Sequence, residues 1–341
     1  QRQMCIRDRE SAVNIAVGLV KHSGKLQEAK FVNAVLRRAL EQPQPVPEAP
    51  ELVLPPVLFK RWRKRYSEAE LAQLAAALLA QPEFTFRAER GFEPGELAAE
   101  AVPAFGEFRF FRACSAARLL ESAALRDGRI YIQDPATSLA PSLPDFNGVK
   151  SVLDLCAAPG GKSLLLIEEM GDEGRLVSCD VSENRVQLIR KAVERMGFRN
   201  VEPRVSDGTK ADNHLPMADA ILVDAPCSGL GILAKKPDIR YKTLEKARHD
   251  ELLATQSAIL DTAAAHLKEG GRLVYSTCTI DPAENEEQVR AFVGRHPEFR
   301  VVTPDVRFPA GMTVGDWGAL SVPTRTGMDG FFLCAMQKRD S

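Results

Sequence analysis

Ser151-Val-Leu-Asp-Leu-Cys-Ala-Ala-Pro-Gly-Gly-Lys-Ser163 passes from an apolar run, through a turn of small residues, into a helix. Ser151 to Leu155 has the length and apolar content of a buried parallel strand. Cys156 to Gly161 interrupts it with small residues, one proline and two glycines. Ser163 to Met170 reads as a helix carrying Leu164, Leu165 and Ile167. Strand, glycine turn and helix together set a ligand against the backbone N–H groups at a helix N-terminus. Glycine suits such a turn because a side chain would hold the ligand off the backbone.

Spacing narrows the ligand. A phosphate-binding loop is Gly, four residues, then Gly-Lys-Ser/Thr. Gly161-Lys162-Ser163 fits its end, but Cys156 stands where the first glycine belongs. A dinucleotide fingerprint needs Gly-x-Gly-x-x-Gly, which Pro159-Gly160-Gly161-Lys162 does not supply. A nucleoside-type ligand without a triphosphate remains. Asp180 closes the next apolar run, about 20 residues on, where an acid bonds ribose hydroxyls.

From Val149 onward, strand and helix patterns alternate, which predicts a doubly wound parallel α/β sheet, Rossmann-like. Strands are expected at 151–155, 175–179, 201–205, 219–223, 271–276, 298–302 and 331–337, and helices near 161–170, 182–196, 245–267 and 283–295. Ligands in such sheets bind beyond the carboxyl ends of the strands. Asp180, Asp207, Asp224 and Cys278 fall there, and Cys227 follows Asp224 in Asp224-Ala-Pro-Cys-Ser-Gly229. Taken singly, an aspartate there is often a turn cap and a cysteine a small buried apolar residue. Two cysteines, each at a strand's carboxyl end, point further.

Composition excludes several classes. The 341 residues suffice for two or three domains. No apolar run reaches membrane-spanning length, so no membrane partner is expected. Lys+Arg 45 balances Asp+Glu 46, so any nucleic-acid site must be a local basic face. The seven cysteines contain no Cys-x-x-Cys pair and the histidines no His-Glu-x-x-His. No metal is therefore expected, and the scattered thiols predict a cytoplasmic protein.

Upstream, residues 1–9 continue no later pattern and read as non-native. Residues 10–42 read as two helices, with Phe31, Val32, Val35 and Leu36 on one face. Six prolines make 43–56 a linker. Residues 57–147 read as a small α/β subdomain. It opens with Lys60-Arg-Trp-Arg-Lys-Arg65, either a solvated basic turn or a phosphate-contacting patch with Arg61 and Arg63. Ser67-x-x-Glu70 is a capping box, and strands are expected at 84–87, 105–111 and 129–133. Gly231 to Arg240 is either a surface loop or a phosphate clamp using Lys235, Lys236 and Arg240.

Leu153-Asp-Leu-Cys-Ala-Ala-Pro-Gly-Gly-Lys162, Pro226-Cys227 and Thr277-Cys278 together resemble motifs of the RNA cytosine-C5 methyltransferases of the Nop/Sun family. The resemblance spans roughly 130–341, including Gln133-Asp-Pro-Ala-Thr-Ser138 and the closing Asp329-Gly-Phe-Phe-Leu333. It implies S-adenosylmethionine as cofactor, bound by Cys156, Ala157, Ala158, Pro159, Gly160, Gly161 and Lys162. Asp180 would take the ribose, Asp207 the adenine, and Asp224 would lie near the methionine end. It implies 148–341 as the methyltransferase domain, seven-stranded with the last strand antiparallel and paired in a hairpin with the strand before it. Residues 10–42 resemble the end of a NusB-like RNA-binding domain, which favours the RsmB type, small-subunit ribosomal RNA as partner, and a monomer. The family usually carries Arg-x-Asn where Arg87-Ala-Glu89 stands.

The implied chemistry explains two thiols. Carbon 5 of cytosine is a poor nucleophile until a thiolate adds to carbon 6, which splits one hard step into easier ones. The resemblance makes Cys278 that nucleophile, Cys227 the aid to product release, Asp224 the contact to the cytosine, and Lys162 the residue orienting base and Asp224. Rival readings are the same chemistry on transfer RNA or another ribosomal site, a non-catalytic assembly factor that binds RNA, and a P-loop hydrolase.

Overall fold

The computed structural model describes residues 9–340 except 25, 43–48, 50–53, 81, 104, 107, 145–146, 172, 243–244 and 305. Residues 1–8 and most of the 43–56 linker thus lie outside the described residues. The chain divides into two compact units, 1–59 and 60–341.

In the first unit, α1 (Arg9–His22) and α2 (Leu26–Glu41) pack on each other, burying Val13 and Ala29. Phe31 and Val35 of α2 stay exposed, at 70% and 48%. The helix α3 (Pro56–Trp62) spans the boundary between the units.

The second unit opens with α4 (Glu68–Leu79), whose capping box forms as its sequence predicts. Glu70 N–H donates to Ser67 Oγ, and Glu70 Oε2 accepts from Ser67 N–H at 2.9 Å. A four-stranded antiparallel sheet follows, built from β1 (Thr85–Ala88), β2 (Ala99–Val102), β3 (Arg109–Ala113) and β4 (Ile130–Ile132) in the order β2-β3-β1-β4. Two short helices, α5 (Ala116–Glu121) and α6 (Ala123–Arg126), connect β3 to β4. Its small core stacks Phe86 on Phe111.

The larger sheet alternates with helices: β5 (Ser151–Asp154), α7 (Gly161–Met170), β6 (Arg175–Asp180), α8 (Glu183–Met196), β7 (Val201–Val205) and β8 (Ala218–Asp224). Next come α9 (Ile239–Lys242), α10 (Lys246–His266), β9 (Leu267–Thr277), α11 (Glu286–Arg295) and β10 (Phe299–Val302). The chain closes with β11 (Thr313–Gly315), β12 (Gly318–Ser321), α12 (Pro323–Thr326) and β13 (Phe331–Lys338). The order is β11-β12-β13-β9-β8-β5-β6-β7, with β10 also on β13. Strands β7, β6, β5, β8 and β9 are parallel, and β13 runs antiparallel to β9. This is the expected doubly wound Rossmann-like sheet. From β5 the chain builds outward first through β6 and β7, then on the other side through β8 and β9. That reversal places the ligand crevice at the carboxyl ends of β5 and β8.

The expectation of seven strands needs correction: the described sheet has nine. The added pair, β11 and β12, is three and four residues long, and β11 is exposed throughout, so no apolar alternation marks it. The pair also lies between β10 and β13, which do pair antiparallel but are not adjacent strands of a hairpin.

Candidate active site

Where β5 ends, the loop to α7 begins. Gly160 caps α7 with φ +106, a conformation that favours glycine. Gly161 serves a different need. A Cβ there would lie 3.0 Å from Gln133 Nε2 and 3.2 Å from Tyr131 Cε1, so its smallness admits the segment after β4. Lys162 then projects from the first turn of α7. Its Nζ donates to Asp224 Oδ2 at 2.8 Å, and Ser276 Oγ donates to Asp224 Oδ1 at 2.9 Å. The ammonium also stands 5.1 Å from the centre of the Phe331 ring. Burial pulls the Lys162 pKa down, but Asp224 and the nearby Cys278 sulfur outweigh it, so the group is held charged.

Asp154, at the end of β5, is fully buried. Its Oδ2 accepts from Ser163 Oγ at 2.7 Å, and its Oδ1 has no partner among the described residues. Burial pushes its carboxyl up to about 7, the Ser163 bond working against that. Sequence reading passed over Asp154 because a strand-end aspartate in a motif looks the same buried or exposed.

The two candidate thiols meet. Cys227 Sγ and Cys278 Sγ are 3.1 Å apart, and the Cys278 N–H donates to Cys227 Sγ at 3.3 Å. The hydrogen bond to Cys278, followed by burial, pushes the Cys227 pKa well above the usual thiol range. Cys227 therefore keeps its proton and can donate it toward Cys278.

Several residues hold this pair in place. Gln256 of α10 donates through Nε2 to the Pro226 carbonyl at 3.0 Å and to Glu284 Oε2 at 3.0 Å. Glu284 Oε2 accepts the Ser228 N–H at 2.7 Å, and burial raises the Glu284 pKa. Ser228 Oγ and Thr279 Oγ1, 2.8 Å apart, tie the two cysteine loops together. Gly231 N–H donates to the Cys278 carbonyl at 3.0 Å, and Gly330 N–H donates to the Gly231 carbonyl at 2.9 Å. Glu284, Gln256 and Gly330 carry no local signal of this work, because their partners are distant in sequence.

On the cofactor side, Asp180 ends β6, with Oδ1 accepting from Ser182 N–H at 3.1 Å and Oδ2 lying 3.3 Å from Arg185. Arg185 also donates to the Ala158 carbonyl at 3.2 Å, bridging Asp180 to the glycine turn. Asp207 follows β7; hydrogen bonds from Thr209 and Lys210 hold its carboxyl down at about 2. Asp180 and Asp224 close β6 and β8, and Asp207 follows β7, so the three carboxylates stand at carboxyl ends of the parallel strands.

The basic candidates divide. Lys235 is not a phosphate clamp: its ammonium is sealed between Asp134 and Asp329, 2.7 Å from Asp329 Oδ2, with only 13% of the side chain exposed. Arg61 pairs with the buried Asp281, and Trp62 is packed in the interior rather than offered for stacking. Of the others, Lys236 and Arg63 are exposed, and Arg240 is half-buried. His249, Asp281 and Glu284 bring possible metal-ligand atoms within 4.8 Å of one another, and the cation on Asp281 is Arg61.

The sequence profile of the family described as 16S rRNA methyltransferase RsmB/F matches residues 137–337. The probable ribosomal RNA small subunit methyltransferase B of Bacillus subtilis is 34% identical over 364 residues, covering 98% of this chain and 79% of that protein. Its counterpart in Synechocystis is 30% identical over 350 residues, covering 96% of this chain and 78% of that protein. The crystal structure of PH0851 has a TM-score of 0.80 at 27% identity, over 98% of this chain and 78% of that one. NSun6 from Pyrococcus horikoshii with SFG has a TM-score of 0.74 at 17% identity over 85% of this chain and 100% of that one, a likeness of fold. With the profile matching more than half its length and relatives at these identities, this chain belongs to the RsmB/F family of 16S rRNA methyltransferases.

Proposed function

We propose that the protein methylates carbon 5 of a cytosine in small-subunit ribosomal RNA, with S-adenosylmethionine as donor, Cys278 as nucleophile and Cys227 assisting release. The observation that carries this reading is the thiol pair, 3.1 Å apart, beside the Lys162–Asp224 ion pair. A single structural cysteine needs no partner thiol; a covalent addition followed by elimination has work for both. The chain's donor set also suits the cofactor. S-adenosylmethionine offers hydroxyl and amine donors and a sulfonium cation, and the crevice offers the carboxylates of Asp180, Asp207 and Asp224. When bound, the cofactor supplies an electrophilic methyl group.

This chain's residues do the rest. Cys278 sulfur bonds to carbon 6 of the base, and the electron pair of the carbon 5–carbon 6 double bond moves so that carbon 5 can attack the methyl group. Lys162, held charged by Asp224, sets a cation beside the Cys278 sulfur. Asp224, fixed by Lys162 and Ser276, is positioned to stabilise charge on the ring through its nitrogen edge. After transfer the carbon 5 proton passes to water, its bonding pair re-forms the double bond, and the Cys278–carbon 6 bond breaks with its pair returning to sulfur. Cys227 keeps its proton in the resting site, so it can protonate the departing sulfur. Lys236, Arg240 and Arg63 are the proposed phosphate contacts, since none is locked in an ion pair among the described residues.

Covalent trapping tests the assignment. Wild type, Cys227→Ala and Cys278→Ala are incubated with small-subunit ribosomal RNA and S-adenosylmethionine, then run on denaturing gels. The expected outcome is a shifted protein–RNA band for Cys227→Ala, and neither band nor methyl transfer for Cys278→Ala. A band from Cys278→Ala instead would reverse the two roles. Absence of methyl transfer by wild type to any RNA would favour a binding factor.

A further inference from the structure

We propose that a cleft of about 910 Å³ beside the catalytic loops is a base-recognition pocket for the unpaired RNA nucleotide next to the target cytosine, read through Asp329. The inference rests on the reading of the protein as an RNA methyltransferase and adds where its sequence preference comes from.

Three features support it. The first is position. Gly231 lines the cleft, and its N–H holds the Cys278 carbonyl at 3.0 Å. The cleft wall and the loop that carries Cys278 thus share the Gly231 backbone. The second is shape and wall chemistry. The volume falls in the range of small-ligand sites, about 300–1,000 Å³. Leu78, Phe105, Pro135 and Met328 give apolar surface for the faces of a base, and exposed Arg307 stands at the rim for a phosphate.

The third is the floor. Lys235 lies between Asp134 and Asp329, so two carboxylates share one ammonium and the floor is acceptor-rich. Asp134 is fully engaged, with Oδ2 on Lys235 and Oδ1 accepting from Ala136 N–H at 2.9 Å. Asp329 gives only Oδ2 to Lys235, at 2.7 Å; its Oδ1 accepts from no described residue. An acceptor at the bottom of an apolar-walled slot selects donors. Guanine presents adjacent imino and amino donors, which Oδ1 and the remaining lone pair of Oδ2 can accept together. Adenine and cytosine present an amino group alone. Uracil flanks its imino group with two carbonyl oxygens, which the carboxylate repels. The expected preference is guanine first and uracil last, by about tenfold, since a good base contact discriminates by roughly 1–3 kcal/mol.

The test uses the full chain and short unpaired RNAs with the target cytosine flanked on either side by G, A, C or U. Wild type, Asp329→Asn, Ala77→Trp and Ala310→Trp are compared; both alanines line the cleft. Wild type should prefer guanine on one side about tenfold in kcat/KM, and Asp329→Asn should compress that ratio below about threefold. Each tryptophan should raise KM for RNA about tenfold while leaving S-adenosylmethionine binding, measured by calorimetry, unchanged. A variant that loses cofactor binding is misfolded, and the other tryptophan variant then decides. Equal methylation of all flanking sequences by wild type overturns the pocket alone, as does an unaltered KM in a filled cleft. Failure of wild type to methylate any RNA overturns the methyltransferase reading, and the pocket with it.

Discussion

Single residues set the protonation states in this site. Cys227 and Cys278 are the same chemical group at 3.1 Å, yet the contact with Cys278 and burial hold the proton on Cys227. Lys162 is the other control. Lys162→Met removes the charge facing Asp224 and Cys278, and should lower kcat at least about 100-fold. Circular dichroism should be unaltered, and cofactor binding by calorimetry should fall far less than kcat. Asp154 has the opposite lesson, because its buried carboxyl is raised from 3.8 to about 7. The folded state therefore binds a proton that the unfolded chain releases between those values. Its contribution is fully present below pH 3.8 and is lost as pH rises through about 7, a swing of about 4 kcal/mol. Asp154→Asn, which still accepts from Ser163, should flatten that decline. Urea unfolding at pH 5 and pH 8 checks it: the wild-type difference should shrink in the variant.

At the scale of elements, the two cysteine loops are held by strand ends and by the closing segment before β13. Gly231 and Gly330 let two backbones touch. A Cβ on Gly231 would lie 2.1 Å from the Gly330 carbonyl oxygen, so the loop must move. Gly231→Ala should lower kcat about 100-fold, since a shift near 1 Å misplaces the thiols. Its Tm should also fall by several degrees in a thermal melt. The elements that recur in sequence, β5 through β9 and their helices, were legible from apolar runs and periodicity. β2, β11 and β12 were not. β2 and β11 are three or four residues long and largely exposed, so neither alternation nor a buried run marks them, and β12, though mostly buried, is only four residues long and carries a glycine and a serine.

At the scale of the molecule, residues 60–341 join two sheets through charged contacts that cross between them. Arg87 of β1 is 1% exposed and pairs with Glu168 of α7. Its Nε and Nη2 have no other partner among the described residues. Removing the acid strands a buried guanidinium, so Glu168→Ala should cost about 2 to 4 kcal/mol in urea unfolding. Arg87→Met, which removes the charge itself, should cost less than half as much. An equal or larger loss from Arg87→Met would mean that the arginine's packing, not its charge, joins the sheets.

The sequence by itself determined the sheet class, the glycine turn and the two cysteine loops, because each is carried by a contiguous run. Apolar periodicity, a capping box and a Pro-Cys or Thr-Cys motif act through neighbours in the chain. The tertiary structure decided the fate of the charges. Lys235 looked like a surface cation until Asp134 and Asp329, 101 and 94 residues away, closed over it. Arg61 looked free for RNA until Asp281, 220 residues away, took it. A cation in a loop has the same local sequence whether it faces water or a buried carboxylate. Only folding brings the partner within reach, and the cost of burying an unpaired charge then dictates that the two meet.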